Sequence, residues 1–266
     1  MARLRSEDAA ARIENGFGPD FSEALARGLA VLTTFGHERR PLTLSDIARG
    51  VDLPRATTRR ALHTLTHLGF AESDGKLFRL TPKVLTLAGS FLLSNQISMI
   101  LQPACDALSA EFDETVSAAV LVGDEAVMIA HAAPRRMATA GVGVGFRIPA
   151  YCSALGRVLL AGLPDPALDR FLDQLKPLPL TARTITDKSR LRLEILQSQA
   201  EGHALVDQEA EAGFCSLAVP IDRYDGRTIA ALNIGAPVER IGADARATTH
   251  LPRLRDMAKA IRSQLI

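Results

Sequence analysis

Leu53-Pro54-Arg55-Ala56-Thr57-Thr58-Arg59-Arg60-Ala61-Leu62 is a short basic stretch entered from a tight turn, and its reading decides the fold. On a 3.6-residue period Ala61, Leu62, Leu65 and Leu68 share one side, while Ala56, Arg59, Arg60, His63 and His67 share the other. The first side suits a core. The second suits a DNA groove, because arginine hydrogen-bonds guanine or clamps a phosphate, and the small Ala56 and Thr57 permit close approach to base edges. Taken alone, the stretch reads equally as an amphipathic helix with a solvated basic face, so its neighbours have to separate the two readings.

Upstream, Asp20 and Glu23 have capping-box spacing, and Phe21, Leu25, Gly28, Leu32 and Phe35 follow as a helical stripe ending near Gly36. Thr43 with Asp46 caps a short second helix lined by Leu44, Ile47 and Val51, and Pro54 suits the first position of the third helix. Downstream, Phe70 to Ser73 and Lys76 to Leu80 are strand-like runs joined by Asp74-Gly75, which predicts a two-residue hairpin with both central residues at positive φ. Three helices followed by a hairpin form a winged helix-turn-helix, which favours the DNA reading. The expected DNA contacts are Arg55, Ala56, Thr57, Arg59, Arg60 and His63 on the helix, with Lys76 and Arg79 on the wing. Lys76 also fits a solvated hairpin tip.

Charge agrees with this reading. The 266 residues carry a net charge of only +1, yet His37 to Lys83 holds nine bases against five acids. A basic module attached to a mildly acidic remainder fits nucleic-acid binding joined to a second task. Hydrophobic residues at 47% and charged residues at 23% describe a globular chain long enough for about two domains. No apolar run is long enough to predict a membrane span, and the start Met1-Ala-Arg-Leu-Arg-Ser-Glu-Asp8 has no secretory pattern. Cys105, Cys152 and Cys215 are odd in number and widely spaced, which predicts neither a disulfide framework nor a zinc cluster and suits a cytoplasmic location.

Residues 1–20 read as a loose arm. From Pro82, the residues Val84, Leu85, Leu87, Ala88, Phe91 and Leu92 predict a helix that either connects two domains, pairing with its twin in a dimer, or packs on its own wing. A further helix is expected over Leu101–Phe112, starting near Pro103. Strands are expected over Thr115–Val122, Ala126–His131, Met137–Val144, His203–Asp207, Ser216–Ile221 and Thr228–Ile234. Helices are expected over Ala154–Leu163 and Asp187–Glu201, the latter after the proline-rich Lys176-Pro-Leu-Pro-Leu180, with a closing helix from about Ala243. Hairpin-joined strands backed by helices give an α+β class.

Enzymatic motifs are missing. Gly141-Val-Gly-Val-Gly145 alternates like a strand and is not the dinucleotide-binding fingerprint, and no nucleophile elbow surrounds Ser153 or Ser216. His63 and His67 are spaced for one helix face but have no acidic partner, so no metal, cofactor or catalytic residue is expected.

The chain resembles the IclR-type bacterial transcriptional regulators from about Phe21 to its end. The resemblance is carried by Ser22-Glu-Ala-Leu-Ala-Arg-Gly-Leu-Ala-Val-Leu32, Leu53–Arg60, Leu80-Thr-Pro-Lys-Val-Leu85, Arg147-Ile-Pro-Ala-Tyr-Cys-Ser-Ala-Leu-Gly-Arg-Val-Leu-Leu-Ala161, Leu205-Val-Asp-Gln-Glu209 and Gly213-Phe-Cys-Ser-Leu-Ala-Val-Pro220. The version Pro149-Ala-Tyr-Cys-Ser-Ala-Leu-Gly-Arg157 is most similar to the subgroup controlling aromatic-acid breakdown through protocatechuate and the β-ketoadipate pathway. The resemblance implies a winged helix-turn-helix over 21–83, a linker helix over 84–98 and, over 99–266, a GAF-like antiparallel sheet with flanking helices that binds a small organic-acid effector. It also implies a homo-oligomer, a dimer or a dimer of dimers, on double-stranded operator DNA. Carried over by position, the effector site falls on Ser153, Ala154, Leu155, Asp207, Ser216, Asn233 and Gly235.

The start of the helix at Ser153 offers free N–H groups to a carboxylate, Ser216 and Asn233 could orient hydroxyls, and Asp207 suits a hydroxyl donor or a supporting role. Arg135, Arg136, Arg147 and Arg157 are candidates for charge neutralisation, each more readily read as a surface or salt-bridge arginine, while Cys152, Cys215 and His131 read as packing residues. The family usually has an apolar residue where this chain has Thr58. The helical wheel puts Thr58 on the core side, its hydroxyl directed back to the Pro54 carbonyl. Competing functions are a DNA-binding architectural protein without an effector and a small-molecule enzyme fused to a DNA-binding domain.

Overall fold

The computed structural model describes residues 18, 20–36, 40–94, 96–134, 142–240 and 246–265. The expected arm at 1–20, most of the expected strand over Met137–Val144, and Arg135 and Arg136 therefore lie largely or wholly outside the described residues. The chain divides into two compact units, residues 1–91 and 92–266. The fold class is α+β, with a helix-turn-helix unit followed by a sheet-and-helix unit.

In the first unit, α1 (Glu23–Thr34), β1 (Leu42–Thr43), α2 (Leu44–Gly50) and α3 (Arg55–His67) precede the wing strands β2 (Ala71–Ser73) and β3 (Leu77–Leu80). The core is Val31, Leu42, Ile47 and Leu62, with Phe35, Ala61, Leu65 and Phe78 packed around it. α1 is capped by Ser22, whose Oγ accepts from Leu25 N at 3.4 Å, and not by Asp20. Its buried residue is Val31, whereas Leu25, expected on the core stripe, is exposed. Among the described residues, no second element covers α1 on the side of Leu25.

Thr43 and Asp46 form the expected reciprocal cap on α2, Thr43 Oγ1 accepting from Asp46 N at 3.2 Å and Asp46 Oδ2 accepting from Thr43 N at 3.1 Å. The Thr43 hydroxyl, which donates to Asp46 Oδ2 at 2.8 Å, and the Thr43 N–H hold the Asp46 carboxyl below its ordinary value. α3 begins at Arg55, with Pro54 as its cap rather than its first residue. Thr58 is fully buried and its hydroxyl donates to Pro54 O at 3.2 Å, as the helical wheel implies. Leu68, expected in the core, is 49% exposed because α3 ends at His67 and the chain turns away at Gly69.

The wing is a three-stranded sheet in the order β1-β3-β2, and β1 was not foreseen because a two-residue strand carries no period. Its connection is longer than predicted. Ser73 pairs with Phe78, and the Asp74 side chain caps the turn, Oδ1 accepting from Lys76 N at 2.9 Å and Leu77 N at 2.8 Å. Of the two residues expected at positive φ, only Gly75 is there, at +97°. α4 (Leu85–Ser94) follows a 3-10 turn over Pro82–Val84 and runs across the boundary between the units.

In the second unit, α5 (Gln96–Phe112) starts earlier than expected and keeps Pro103 in its interior. The strands β4 (Thr115–Val122), β5 (Glu125–Ala132), β6 (Arg147–Pro149), β7 (Ala204–Asp207), β8 (Phe214–Asp222) and β9 (Thr228–Pro237) form one sheet in the order β6-β5-β4-β9-β8-β7, antiparallel throughout. The third strand is thus Arg147–Pro149, and Val142–Val144, expected in it, is loop and turn. β6 lies at a sheet edge, which accommodates the missing N–H of Pro149.

One sheet face, with Val116, Ala118, Leu217, Val219, Leu232 and Ile234, packs on α5 and on the closing helix α9 (Leu251–Arg262) through Leu101, Leu108, Leu254 and Ile261. The opposite face, with Ala119, Met128, Ala218 and Ala231, meets α6 (Ala154–Ala161) through Leu155, Val158 and Leu159. Beyond α6, Leu160 packs with α7 (Asp165–Gln174) and α8 (Lys188–Glu201) around Leu168, Leu172, Leu191 and Ile195. α7 has no counterpart in the sequence expectations. The expected closing helix from Ala243 has 243–245 outside the described residues, and its α-helical part begins at Leu251 after a π turn over Arg246–His250.

Candidate functional site

Two surfaces hold the residues singled out from sequence. The first is the outward face of α3, where Arg55, Ala56, Arg59, Arg60 and His63 are exposed and Thr57 is partly buried. Burial of Thr58 and Leu62 turns this face out. Its N-terminus has neither a capping side chain nor an acidic residue in the first turn, so the first N–H groups and the positive end of the dipole stay open to an anion. Among the described residues, the side chains of Arg55, Arg59, Arg60 and Lys76 have no ion pair or hydrogen bond. On the wing Lys76 is exposed at the turn, whereas Arg79 is tied across the hairpin to Glu72 at 2.9 Å.

The second is a cavity of about 500 Å³ within the second unit, between the sheet and the start of α6. Of the residues carried over from the resemblance, Ser153, Ala154, Leu155, Ser216, Asn233 and Gly235 line it. Asp207 does not. It pairs with Cys215, which faces the other side of the sheet, whereas the neighbouring Val206 and Ser216 line the cavity, and its carboxylate is bonded to Arg183 and to Gln208 Nε2.

Ser153 is the N-cap of α6, its Oγ accepting from Gly156 N at 3.1 Å, so the N–H groups of Ala154 and Leu155 remain in the first turn without helical partners. Gly156 is required there, because a Cβ would lie 2.2 Å from Ala150 Cα and O. Opposite, Gly235 leaves room for the Phe214 ring, which a Cβ would meet at 2.7 Å. Asn233 is 8% exposed and its Oδ1 has no hydrogen-bond partner among the described residues.

The arginine and the buried carboxylate that line the cavity are already paired, whereas Glu211, which also lines it, is exposed without an ion pair among the described residues. Arg147 lines it but donates from Nε to Glu125 Oε2 at 2.6 Å. Arg157, 2% exposed, is not among the lining residues and donates from Nη2 to Glu209 Oε2 at 2.7 Å. Glu209 lines the cavity, and burial lifts its carboxyl above the ordinary glutamate value although Arg157 opposes the rise. Cys152 is fully buried in the wall, its thiol pushed up to about 11 by burial, and Cys215 is buried on the opposite sheet face, so both pack as expected.

Sequence reading missed the cavity residues Thr115, Ser117, Met128, Phe146, Ile148 and Phe214, and it took His131, which also lines the cavity, as packing. A period-2 reading cannot place Met128 and His131 on one face. The register shift in the β4–β5 ladder at Ala118/Ala119 does so, pairing Met128 with Ala119 and His131 with Ser117.

Comparison with known proteins agrees with this organisation. Residues 24–75 match the IclR helix-turn-helix domain and residues 90–263 match the bacterial transcriptional regulator IclR C-terminal domain. The Pca regulon regulatory protein of Pseudomonas putida is 40% identical over 248 residues, covering 93% of this chain and 85% of that protein. A Rhodococcus transcriptional regulator of known structure is 42% identical with a TM-score of 0.77, covering 92% of this chain and 98% of that one. An IclR homologue from Microbacterium hydrocarbonoxydans, solved in complex with 4-hydroxybenzoate, is 27% identical with a TM-score of 0.73, covering 91% and 99%.

Proposed function

The chain belongs to the IclR family of bacterial transcriptional regulators, and on that premise we propose that it is a ligand-responsive DNA-binding regulator of an aromatic-catabolic operon. In this reading, residues 21–83 read operator DNA, 84–98 link the two functions, and 99–266 bind the effector. Arg59 and Arg60 carry the groove contacts, with Arg55, Ala56, Thr57 and His63 around them and Lys76 and Arg79 on the flanking backbone. The chain works in the cytoplasm as a dimer or dimer of dimers, and performs no catalysis of its own.

The effector is an aromatic or dicarboxylic acid, with 4-hydroxybenzoate, protocatechuate and β-ketoadipate as the compounds to test. One observation carries this choice. A cavity of about 500 Å³ has the polar Ser117, Ser216 and Asn233 on its sheet wall and the open start of α6 on the other. The open helix start suits a carboxylate, and the space suits a small aromatic or dicarboxylic acid. An architectural DNA-binding protein has no use for such a cavity.

Calorimetric titration of the full chain with the three acids tests the reading. A saturable heat with at least one acid is the expected result, and the ligand raises Tm by mass action. Silence from all three on folded protein contradicts the effector class.

A further inference from the structure

The chain passes from the first unit to the second once, through α4, so whatever holds the start of α4 decides which part of the first unit its motion reaches. That start is fastened to the end of α3. Thr81 Oγ1 donates to Gly69 O, Thr81 N donates to Phe70 O at 3.0 Å, and Lys83 Nζ donates to Leu68 O at 2.8 Å. Leu68 is the C-cap of α3, where helical carbonyls lack partners and the dipole is negative, so the Lys83 ammonium suits it on both counts. The ammonium also lies 5.2 Å from the centre of the Phe70 ring. The same two residues begin the next helix. Thr81 Oγ1 accepts from Lys83 N at 3.2 Å as the cap of the 3-10 turn, and Lys83 O accepts from Thr86 Oγ1 at 2.8 Å in the first turn of α4. Among the described residues, every hydrogen bond of Thr81–Thr86 apart from those within the turn and α4 ends on Leu68, Gly69 or Phe70.

Resting on the regulator reading above, we infer that Thr81 and Lys83 are positioning residues that latch the start of α4 to the C-terminal end of α3, so that a change in the tilt of α4 reaches the DNA-facing helix directly. A loose joint absorbs such a change. This one has little freedom to do so, because Pro82 has its φ fixed and the Thr81 hydroxyl is shared between Gly69 O and Lys83 N, which joins the turn and the end of α3 into one piece. Gly69 permits the close approach. It sits at φ +75°, which favours glycine, and a Cβ there would lie 3.7 Å from Lys83 Cδ, so the lysine stem runs across it without a side chain in the way. The bases of the first unit divide accordingly. Arg59 and Arg60 have no partner among the described residues and face outward, whereas Lys83 directs its charge at the end of α3 and the Phe70 ring.

The test is fluorescence anisotropy on an operator obtained by binding-site selection, with the full chain as wild type, Thr81→Val, Lys83→Met, Thr81→Ser and Lys83→Arg. Each is titrated alone and with 4-hydroxybenzoate, protocatechuate or β-ketoadipate in excess, calorimetry gives the Kd of each acid, and thermal melts verify folding. In the wild-type chain an acid that binds is expected to change the operator Kd at least about fivefold. Thr81→Val and Lys83→Met are expected to keep the acid's Kd for the DNA-free chain and to reduce that coupling about twofold or more, while Thr81→Ser and Lys83→Arg, which retain the donors, restore it. A cap with only a structural role lowers the melt and leaves the coupling where it was. Should Lys83→Met fail to fold, the two Thr81 variants, which alter no charge, decide. Wild-type coupling in folded Thr81→Val and Lys83→Met overturns the latch and leaves the regulator standing. So does a Lys83→Met chain whose operator binding weakens equally with and without acid and with a shallower salt dependence, because Lys83 is then a phosphate contact. An operator affinity that none of the acids alters in the wild-type chain removes the regulator reading and the latch together.

Discussion

The arginines of α3 stand in contrast to six arginines of the second unit, while elsewhere in the first unit Arg27, Arg40, Arg49 and Arg79 are paired as well. On α3 of the first unit, Arg55, Arg59 and Arg60 are exposed with no partner among the described residues. In the second unit Arg147, Arg157, Arg183, Arg192, Arg240 and Arg253 each meet a carboxylate. Paired cations hold structure together, and the buried Arg157–Glu209 pair does so between α6 and the loop after β7. Unpaired cations grouped on a helix whose N-terminus is also open are available to an external anion, and the phosphates of DNA supply one. The same side chain is therefore expected to matter for stability in one unit and for binding in the other.

Breaking the buried pair should have the largest effect. Arg157→Ala leaves Glu209 buried without its counterion and is expected to cost on the order of 3–5 kcal/mol in urea unfolding of the second unit. Replacing both members with apolar residues, Arg157→Met with Glu209→Leu, is expected to cost much less, and an additive loss in the double variant would contradict a specific pair. The variant also predicts a pH dependence. Burial already raises Glu209, and losing Arg157 removes an opposing influence, so its folded value climbs further. A raised acid contributes most below its unfolded value and loses that contribution as pH rises through its folded value. The deficit of Arg157→Ala should thus be smallest in acid and grow toward neutral pH, and a deficit that grows on acidification would contradict this.

Next comes Gly156→Ala. The added Cβ meets the backbone of Ala150, which cannot swing aside as a flexible side chain does, and the expected loss is about 2–3 kcal/mol. A melt unchanged from wild type would mean that the turn over Ala150–Cys152 gives way freely.

On α3 the currency changes from folding to binding. Arg59→Ala and Arg60→Ala should each weaken operator binding by about 1–3 kcal/mol, with loss of base preference if the residue reads a base and a shallower salt dependence if it meets phosphate. Their melts should stay within about 0.5 kcal/mol of wild type. Unaltered binding by both variants would mean that another face of the unit enters the groove. The smallest effect belongs to Thr58→Val, which keeps the buried shape and gives up one hydrogen bond to Pro54 O, for about 1 kcal/mol or less. A larger loss would show the hydroxyl to be central to the entry of α3.

How much was legible in sequence follows the same division. Contiguous signals were readable, as in the Thr43–Asp46 cap, the basic face of α3 and the paired strands of the second unit. Where one element's environment depends on a distant partner, the reading failed. Leu25 fits a helical stripe, but among the described residues of its unit no element covers it. The turn at Asp74 differs for a local reason, since its side chain accepts from Lys76 N and Leu77 N and builds a longer turn than two residues. Asp207 stands in the matching motif, but its register opposite Cys215 turns it to the sheet face away from the cavity. His131 lay hidden behind an irregularity in the β4–β5 ladder, which shows only once the strands are paired.

The proposed regulator couples effector binding in the second unit to operator binding by α3. The most direct test is fluorescence anisotropy of the full chain on an operator obtained by binding-site selection, titrated with and without saturating 4-hydroxybenzoate. The account predicts that the acid changes the operator Kd severalfold, and that bound operator changes the acid's Kd by the same factor, as linkage requires. An operator affinity identical with and without an acid that demonstrably binds would contradict it.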